Sequence, residues 1–209
     1  MRLHGYFRSA ASWRVRIALG LKGVAATQVS HHLRRGEQRS PAYVALNPQG
    51  LVPTLELDDG TPITQSLAII EWLDETVPKP ALLPTEPLQR ARVRAFALAL
   101  AADTHPLQNL KVLQSLRVRG LDEDAVTAWA AEANATGLDS CEILAAGGSA
   151  FCFGDAPTLA DICLVPQLGN ARRFGVDVRR FPRLLACEGA CLRLPAFADA
   201  APDRQPDAE

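Results

Sequence analysis

The sequence predicts a chain in two parts, an α/β domain over residues 1–80 and an all-helical domain over residues 88–209. Three observations carry this reading. Strand-like and helix-like segments alternate up to Val77. The stretch from Pro78 to Pro87 then holds four prolines and reads as a linker. After Leu88 no strand pattern recurs, and long Ala- and Leu-rich runs keep helical spacing.

The elements follow in order. Leu3 to Phe7 forms a short strand. From Ser12 to Lys22 the spacing of Val15, Ala18, Leu19 and Leu21 is helical, with Gly23 as its stop. Thr27 to Leu33 reads as a second strand. Ser40-Pro41 starts a helix, Ser as cap and Pro in the first turn, and Asn47-Pro48-Gln49-Gly50 ends it. Thr54 to Leu57 and Thr61 to Thr64 flank Asp58-Asp59-Gly60, a tight hairpin. Ser66 is the expected cap of a helix through Ile69, Ile70, Trp72 and Leu73. The order is β-α-β-α-β-β-α, which suits a small mixed sheet of thioredoxin-like type. Beyond the linker, Leu88 to Val118 and Asp122 to Ala146 read as long helices, the second broken by Gly147-Gly148. Thr158-Leu159-Ala160-Asp161 is a capping box with Asp in the usual Glu or Gln place, opening a buried helix through Ile162 to Val165. Phe181 to Leu194 reads as another helix, and the last eight residues as a loosely held tail.

Composition narrows the function classes. Of 209 residues, 48% are hydrophobic and 22% charged, which fits a globular protein and not a disordered one. The 22 Lys and Arg against 23 acids leave a net charge of −1, so no field favours nucleic acid or an anionic membrane. Only Lys22, Lys79 and Lys111 are lysines. No run of apolar residues is long enough to span a bilayer, and Arg2, His4 and Arg8 interrupt any secretory signal. The five cysteines, Cys141, Cys152, Cys163, Cys187 and Cys191, all lie in the second half, with no CxxC pair. They read as buried small apolar residues in a reducing cytoplasm, and no metal site is expected, although Cys187 and Cys191 share a helical spacing.

The segment Tyr6-Phe7-Arg8-Ser9-Ala10-Ala11-Ser12-Trp13-Arg14-Val15-Arg16-Ile17-Ala18-Leu19 resembles the signature of zeta-class glutathione transferases. That class includes the maleylacetoacetate and bacterial maleylpyruvate isomerases. The resemblance continues through Ala45-Leu46-Asn47-Pro48, Val52-Pro53-Thr54-Leu55, Gln65-Ser66-Leu67-Ala68-Ile69-Ile70-Glu71 and Pro106-Leu107-Gln108-Asn109. It then runs through Thr158-Leu159-Ala160-Asp161, Val165-Pro166-Gln167, Ala171-Arg172-Arg173-Phe174-Gly175-Val176-Asp177 and Gln205-Pro206-Asp207, covering nearly the whole chain in order. It implies glutathione as cofactor, a small-molecule diacid as substrate and a homodimer. One departure stands out. The family commonly reads Ser-Ser-Cys where this chain has Ser9-Ala10-Ala11.

A thiol of ordinary pKa, about 8.5, is about 3% ionised at pH 7, so a glutathione enzyme must stabilise the thiolate. Ser9, just before the first helix, can donate its hydroxyl to the sulfur, with the helix N-terminus adding N–H donors. By position alone Ser9 or Ser12 simply caps the helix. The resemblance assigns Ser9 to the sulfur and leaves Ser12 as the expected cap. It also implies a cis Pro53 that exposes the Val52 backbone to the tripeptide, Gln65 and Ser66 at a helix start for its γ-glutamyl end, and contacts from Gln38, His105 and Asn109. Without the resemblance, Ser66 is an ordinary cap and His105 a packing residue. Thiolate addition to a conjugated cis double bond turns it into a single bond. Rotation and thiolate loss then give the trans product. The charge that develops needs cationic clamps. Arg8 and Arg173 are the candidates, with Lys111 a weaker third; Arg14 and Arg16 read as structural. Two alternatives remain. One is a general transferase acting on small electrophiles such as α-halo acids. The other is a non-catalytic binding protein of the same fold.

Overall fold

The computed structural model describes residues 1–145 and 147–209. The chain divides into two compact units, Met1–Leu82 with Leu192–Glu209, and Leu83–Cys191. The first unit holds strands β1 (Arg2–Gly5), β2 (Thr27–Ser30), β3 (Thr54–Glu56) and β4 (Pro62–Thr64), with helices α1 (Ala10–Lys22), α2 (Pro41–Leu46) and α3 (Ser66–Thr76). This is the βαβαββα order. The strands form one mixed sheet in the order β2-β1-β3-β4, with β1 parallel to β2 and the other pairs antiparallel. A parallel pair needs a crossover, and α1 supplies it. Leu3, Val15, Ile17, Leu55, Ile69, Ile70 and Leu73 build the buried core, and α1 packs against α3.

Two strands are shorter than their apolar patterns. β1 stops at Gly5, so Tyr6 and Phe7 lead into the first helix. β2 stops at Ser30 and is followed by two 3₁₀ turns, Leu33–Arg35 and Glu37–Arg39. The left-handed Gly36 between them (φ 76°) makes that turn possible. Ser40 caps α2 as expected, accepting the Tyr43 N–H.

The C-terminal tail belongs to the first unit, against the expectation of a loose end and of a helical domain running to residue 209. It includes the short helix from Pro195 to Ala198, which packs against α1. Asp207 Oδ2 accepts from the Phe7 backbone at 3.0 Å and from Ser30 Oγ at 2.6 Å. Gln205 Nε2 donates to the carbonyls of Asp199 and Ala201, both at 2.8 Å. Arg16, 93% buried as its 7% exposure shows, donates to the Ala200 and Phe7 carbonyls. Burial lowers its pKa to about 10. These contacts satisfy polar groups in place of solvent.

The second unit is helical: α4 (Pro87–Leu98), α5 (Leu110–Val118), α6 (Glu123–Leu144), α7 (Leu159–Arg173) and α8 (Pro182–Cys191). The expected helix from Leu88 to Val118 is interrupted. A π-turn at Ala99–Thr104 and a 3₁₀ turn at His105–Gln108 separate α4 from α5. Pro106 cannot continue the α-helical bonding pattern, and Asn109 restarts the helix by accepting the Val112 N–H. The expected end of the next helix, Ala146, lies outside the described residues. The last expected helix, Phe181 to Leu194, ends earlier, at Cys191. α7 is buried from Leu159 to Gln167, and the Thr158–Asp161 capping box closes its start. Asp161 accepts the Thr158 and Cys152 N–H groups, both at 2.9 Å. All five cysteines are free thiols buried in this unit. Among the described residues, no helix is long and apolar enough to cross a membrane.

Candidate active site

The registers of the sheet bring the N-terminal candidates to one edge. His4 pairs with Thr54, and Thr54 with Thr64, so one row of residues crosses β1, β3 and β4. The chain leaves this row toward Ser9 from β1, arrives through Val52 and Pro53 into β3, and runs from β4 into Gln65 and Ser66. Open sheets present ligand sites at such an edge, where loops from several strands meet. Direct contacts tie the loops together. Gln65 Nε2 donates to Gln49 Oε1 at 2.9 Å. Gly50, left-handed at φ 61°, lies so close to Gln38 that an added Cβ would fall 3.3 Å from its carbonyl oxygen.

Ser9 is the cap of α1, correcting the expectation that Ser12 caps. Its Oγ accepts the Ser12 N–H at 3.2 Å. The cap uses a lone pair and leaves the hydroxyl proton free to donate. The backbone N–H groups of Ala10 and Ala11 have no acceptor among the described residues, as is usual for a first helical turn. No acidic side chain sits in that turn. The start of α1 therefore offers one hydroxyl and two amides, unneutralised, to an anion. Ser12 Oγ is buried with no partner among the described residues, as are Tyr6 Oη, Trp13 Nε1 and Arg8 Nε. Arg8 is half-buried, its guanidinium 5.2 Å from the Phe7 ring centre.

The Val52–Pro53 peptide is cis. Neither the N–H nor the carbonyl of Val52 has a hydrogen-bond partner among the described residues. Gln38 is buried, and its Oε1 has no partner among the described residues. At α3 the cap position is Gln65 and Ser66 is the first helical residue, a second correction. Gln65 has φ 69°, a left-handed conformation rare for a residue with a side chain. It makes no side-chain cap bond, and the first N–H groups of α3 have no acceptor among the described residues. Buried Arg14 reaches from α1 to Ser66, Nη1 to Oγ at 3.5 Å, a structural link as expected. Gln49 is a member of this edge that sequence reasoning did not select. Its signal was its place beside Gly50 in the turn before Val52.

In the second unit, His105 opens the 3₁₀ turn after the π-turn and Asn109 closes it as the α5 cap. Asn109 spends its carbonyl oxygen on Val112 and keeps both amide protons. Arg173 ends α7, exposed, its guanidinium 4.5 Å from the Phe174 ring centre. Lys111 is exposed on α5. Gln108, between His105 and Asn109, is buried, and its Nε2 has no partner among the described residues.

The glutathione S-transferase N-terminal domain family matches residues 8–76. A maleylacetoacetate isomerase of Pseudomonas aeruginosa is 48% identical over 209 residues, 99% of this chain and 98% of that protein. The holo structure of a maleylpyruvate isomerase, a bacterial glutathione S-transferase of the zeta class, superposes with a TM-score of 0.97 at 46% identity, covering 100% of both chains. A maleylacetoacetate isomerase of Methylobacterium extorquens AM1, solved with malonate and glutathione bound, gives 0.96 at 42% identity, again over 100% of both chains.

Proposed function

The chain belongs to the zeta-class glutathione transferase family, and from that premise we propose that it is a glutathione-dependent cis–trans isomerase of maleylacetoacetate or maleylpyruvate. The observation that supports the reading is the row from His4 through Thr54 to Thr64, which gathers Ser9, the unpaired backbone of Val52 and the strained Gln65 at one sheet edge. Ser9 and the Ala10 and Ala11 amides hold the sulfur as thiolate. Lowering its pKa by about two units needs about 2.7 kcal/mol of selective stabilisation. Val52 pairs with the cysteinyl backbone, the open N-terminus of α3 takes the γ-glutamyl carboxylate, and Gln38, His105 and Asn109 complete the glutathione contacts.

The thiolate adds to the cis double bond, the electron pair moves to the conjugated carbonyl oxygen, and the former double bond rotates. Collapse of the enolate expels the thiolate and leaves the trans product, so glutathione is returned unchanged. Arg8 and Arg173 bind the carboxylates and the enolate charge. The related enzyme holding both malonate, a dicarboxylate, and glutathione supports a diacid substrate. Relatives of both substrate names lie at similar identity, so the proposal keeps both acids. A homodimer in the cytoplasm completes the reading, on family grounds.

The test is isomerisation of both acids by purified protein with and without glutathione. Turnover only with glutathione is expected, and equal rates without it sink the mechanism. Arg173→Ala is expected to raise the KM for the acid, and an unchanged KM removes Arg173 from the clamp.

A further inference from the structure

We propose that Tyr43 and Asn47 are positioning residues for the glutathione peptide, acting through the carbonyl of Leu51. The inference rests on the glutathione reading given above. Tyr43 lies in α2 and Asn47 ends it, with 2% and 1% of their surfaces exposed. Tyr43 Oη donates to the Leu51 carbonyl at 2.6 Å, and Asn47 Nδ2 donates to the same oxygen at 2.7 Å. Thr54 Oγ1 closes the ring of bonds, 2.9 Å from Tyr43 Oη and 3.1 Å from Asn47 Nδ2. The donors can be counted. The single tyrosine proton goes to Leu51, so Thr54 donates to Tyr43 and accepts from Asn47. Asn47 Oδ1 accepts the Gln49 N–H at 3.1 Å, which fixes the orientation of its amide. Burial raises the Tyr43 pKa, which keeps the hydroxyl a donor.

The Leu51 carbonyl and the Val52 N–H belong to one peptide unit. That unit is planar, and it is not among the cis bonds, so the two groups point in opposite directions. With the carbonyl held by two buried side chains, the Val52 N–H is aimed away from them. That N–H has no partner among the described residues, and it stands two residues before β3 begins. An extended peptide arriving there finds its donor already oriented and pays no ordering cost at that plane. The Leu51 side chain itself is exposed and adds nothing to the core. Besides bonding Thr54 in β3, these two buried side chains each direct a donor to one loop carbonyl, and that fixes the direction of one amide.

The experiment measures glutathione affinity by calorimetry for the wild type, Tyr43→Phe and Asn47→Ala. Each variant removes one of two donors to Leu51. Each is expected to weaken glutathione about 3- to 10-fold, with kcat at saturating glutathione and the KM for the acid within twofold of wild type. A lower unfolding midpoint with unchanged glutathione affinity overturns the inference and leaves a structural role. Amide hydrogen exchange on the wild type decides the matter if a variant fails to fold. The Val52 amide is expected to exchange fast in the free protein and to slow severalfold with glutathione. An amide that glutathione does not slow, in protein that binds glutathione, also overturns it. Wild-type protein that binds no glutathione overturns the reading of the whole site, and this inference with it.

Discussion

Under the proposed function Ser9 carries two roles on one oxygen, and substitution can separate them. Its lone pair caps α1 through the Ser12 N–H at 3.2 Å, and its proton is free for a sulfur anion. Ser9→Ala removes both. Loss of the cap costs about 1 kcal/mol of stability. Loss of one hydrogen bond to a charged sulfur costs about 1.5–3 kcal/mol, or one to two units of thiol pKa. If the bound thiol starts near pKa 6.5, its ionised fraction at pH 7 falls from about three-quarters to between about a quarter and about 3%. Turnover at pH 7 then drops about 3- to 25-fold, while the Ala10 and Ala11 amides preserve part of the effect. Ser9→Asp keeps the cap acceptor and suits the helix dipole, so stability matches or exceeds wild type. Its charge repels the thiolate, so the bound thiol pKa rises above that of Ser9→Ala. The assay is pH titration of the thiolate ultraviolet absorption in each glutathione complex, beside thermal unfolding. If both variants leave the thiol pKa within about 0.3 units of wild type while stability follows cap quality, Ser9 is a cap and nothing more.

Two further predictions concern stability. The His31 pKa is held below its ordinary value of 6.5, first by burial and then by the neighbouring His4. The folded state thus prefers neutral His31, and as pH falls the unfolded chain takes up the proton first. Stability from this group is present above about pH 6.5 and is lost as pH drops through the folded pKa. His31→Gln should lose less stability than wild type between about pH 7.5 and about pH 5.5 by denaturant midpoint, and an equal loss refutes the assignment. In the second unit, a methyl at Gly137 would fall 2.0 Å from Thr104 Oγ1 and 2.7 Å from its Cγ2. Gly137→Ala should cost about 1–3 kcal/mol, with Thr104→Ala recovering only part of it because the Thr104 Cβ, 2.9 Å from the added methyl, remains, and a double variant no better than Gly137→Ala contradicts this packing.

The sequence announced the helices and strands that carry periodic apolar residues and hid what depends on particular dihedrals and distant partners. The hairpin at Asp58-Asp59-Gly60 and the box at Thr158 and Asp161 were legible because their chemistry is local. The two misplaced caps share one cause. A serine near a helix start signals a boundary, but the signal is worth only a few residues. At α3 the boundary is set by Gln65 at φ 69°, a conformation that propensity disfavours and only the surrounding loops can enforce. The break between α4 and α5 was written in His105-Pro106, yet the Ala-rich spacing on both sides outweighed it. The tail looked loose because Pro and Asp dominate it. Its order comes from Phe7 and Ser30, far away in the chain, meeting Asp207.

The exchange of the family's usual Ser-Cys for Ala10-Ala11 removes side chains but leaves backbone amides. At the start of a helix those amides are donors whatever residues carry them, and here both lack an acceptor among the described residues. Under the proposed function the thiolate therefore loses a hydroxyl and a thiol from its surroundings without losing the helix terminus that favours it. The same logic extends to Val52 and to the first turn of α3, where backbone again supplies the donors. A site built on peptide groups tolerates side-chain change as long as the loops keep their course, and Tyr43, Asn47 and Gly50 are the residues that hold one of those courses. Reactive cysteine in the protein is then unnecessary. All five cysteines are buried in the helical unit, with burial pushing Cys141 up to about 12, and under the proposed function the nucleophile arrives with glutathione.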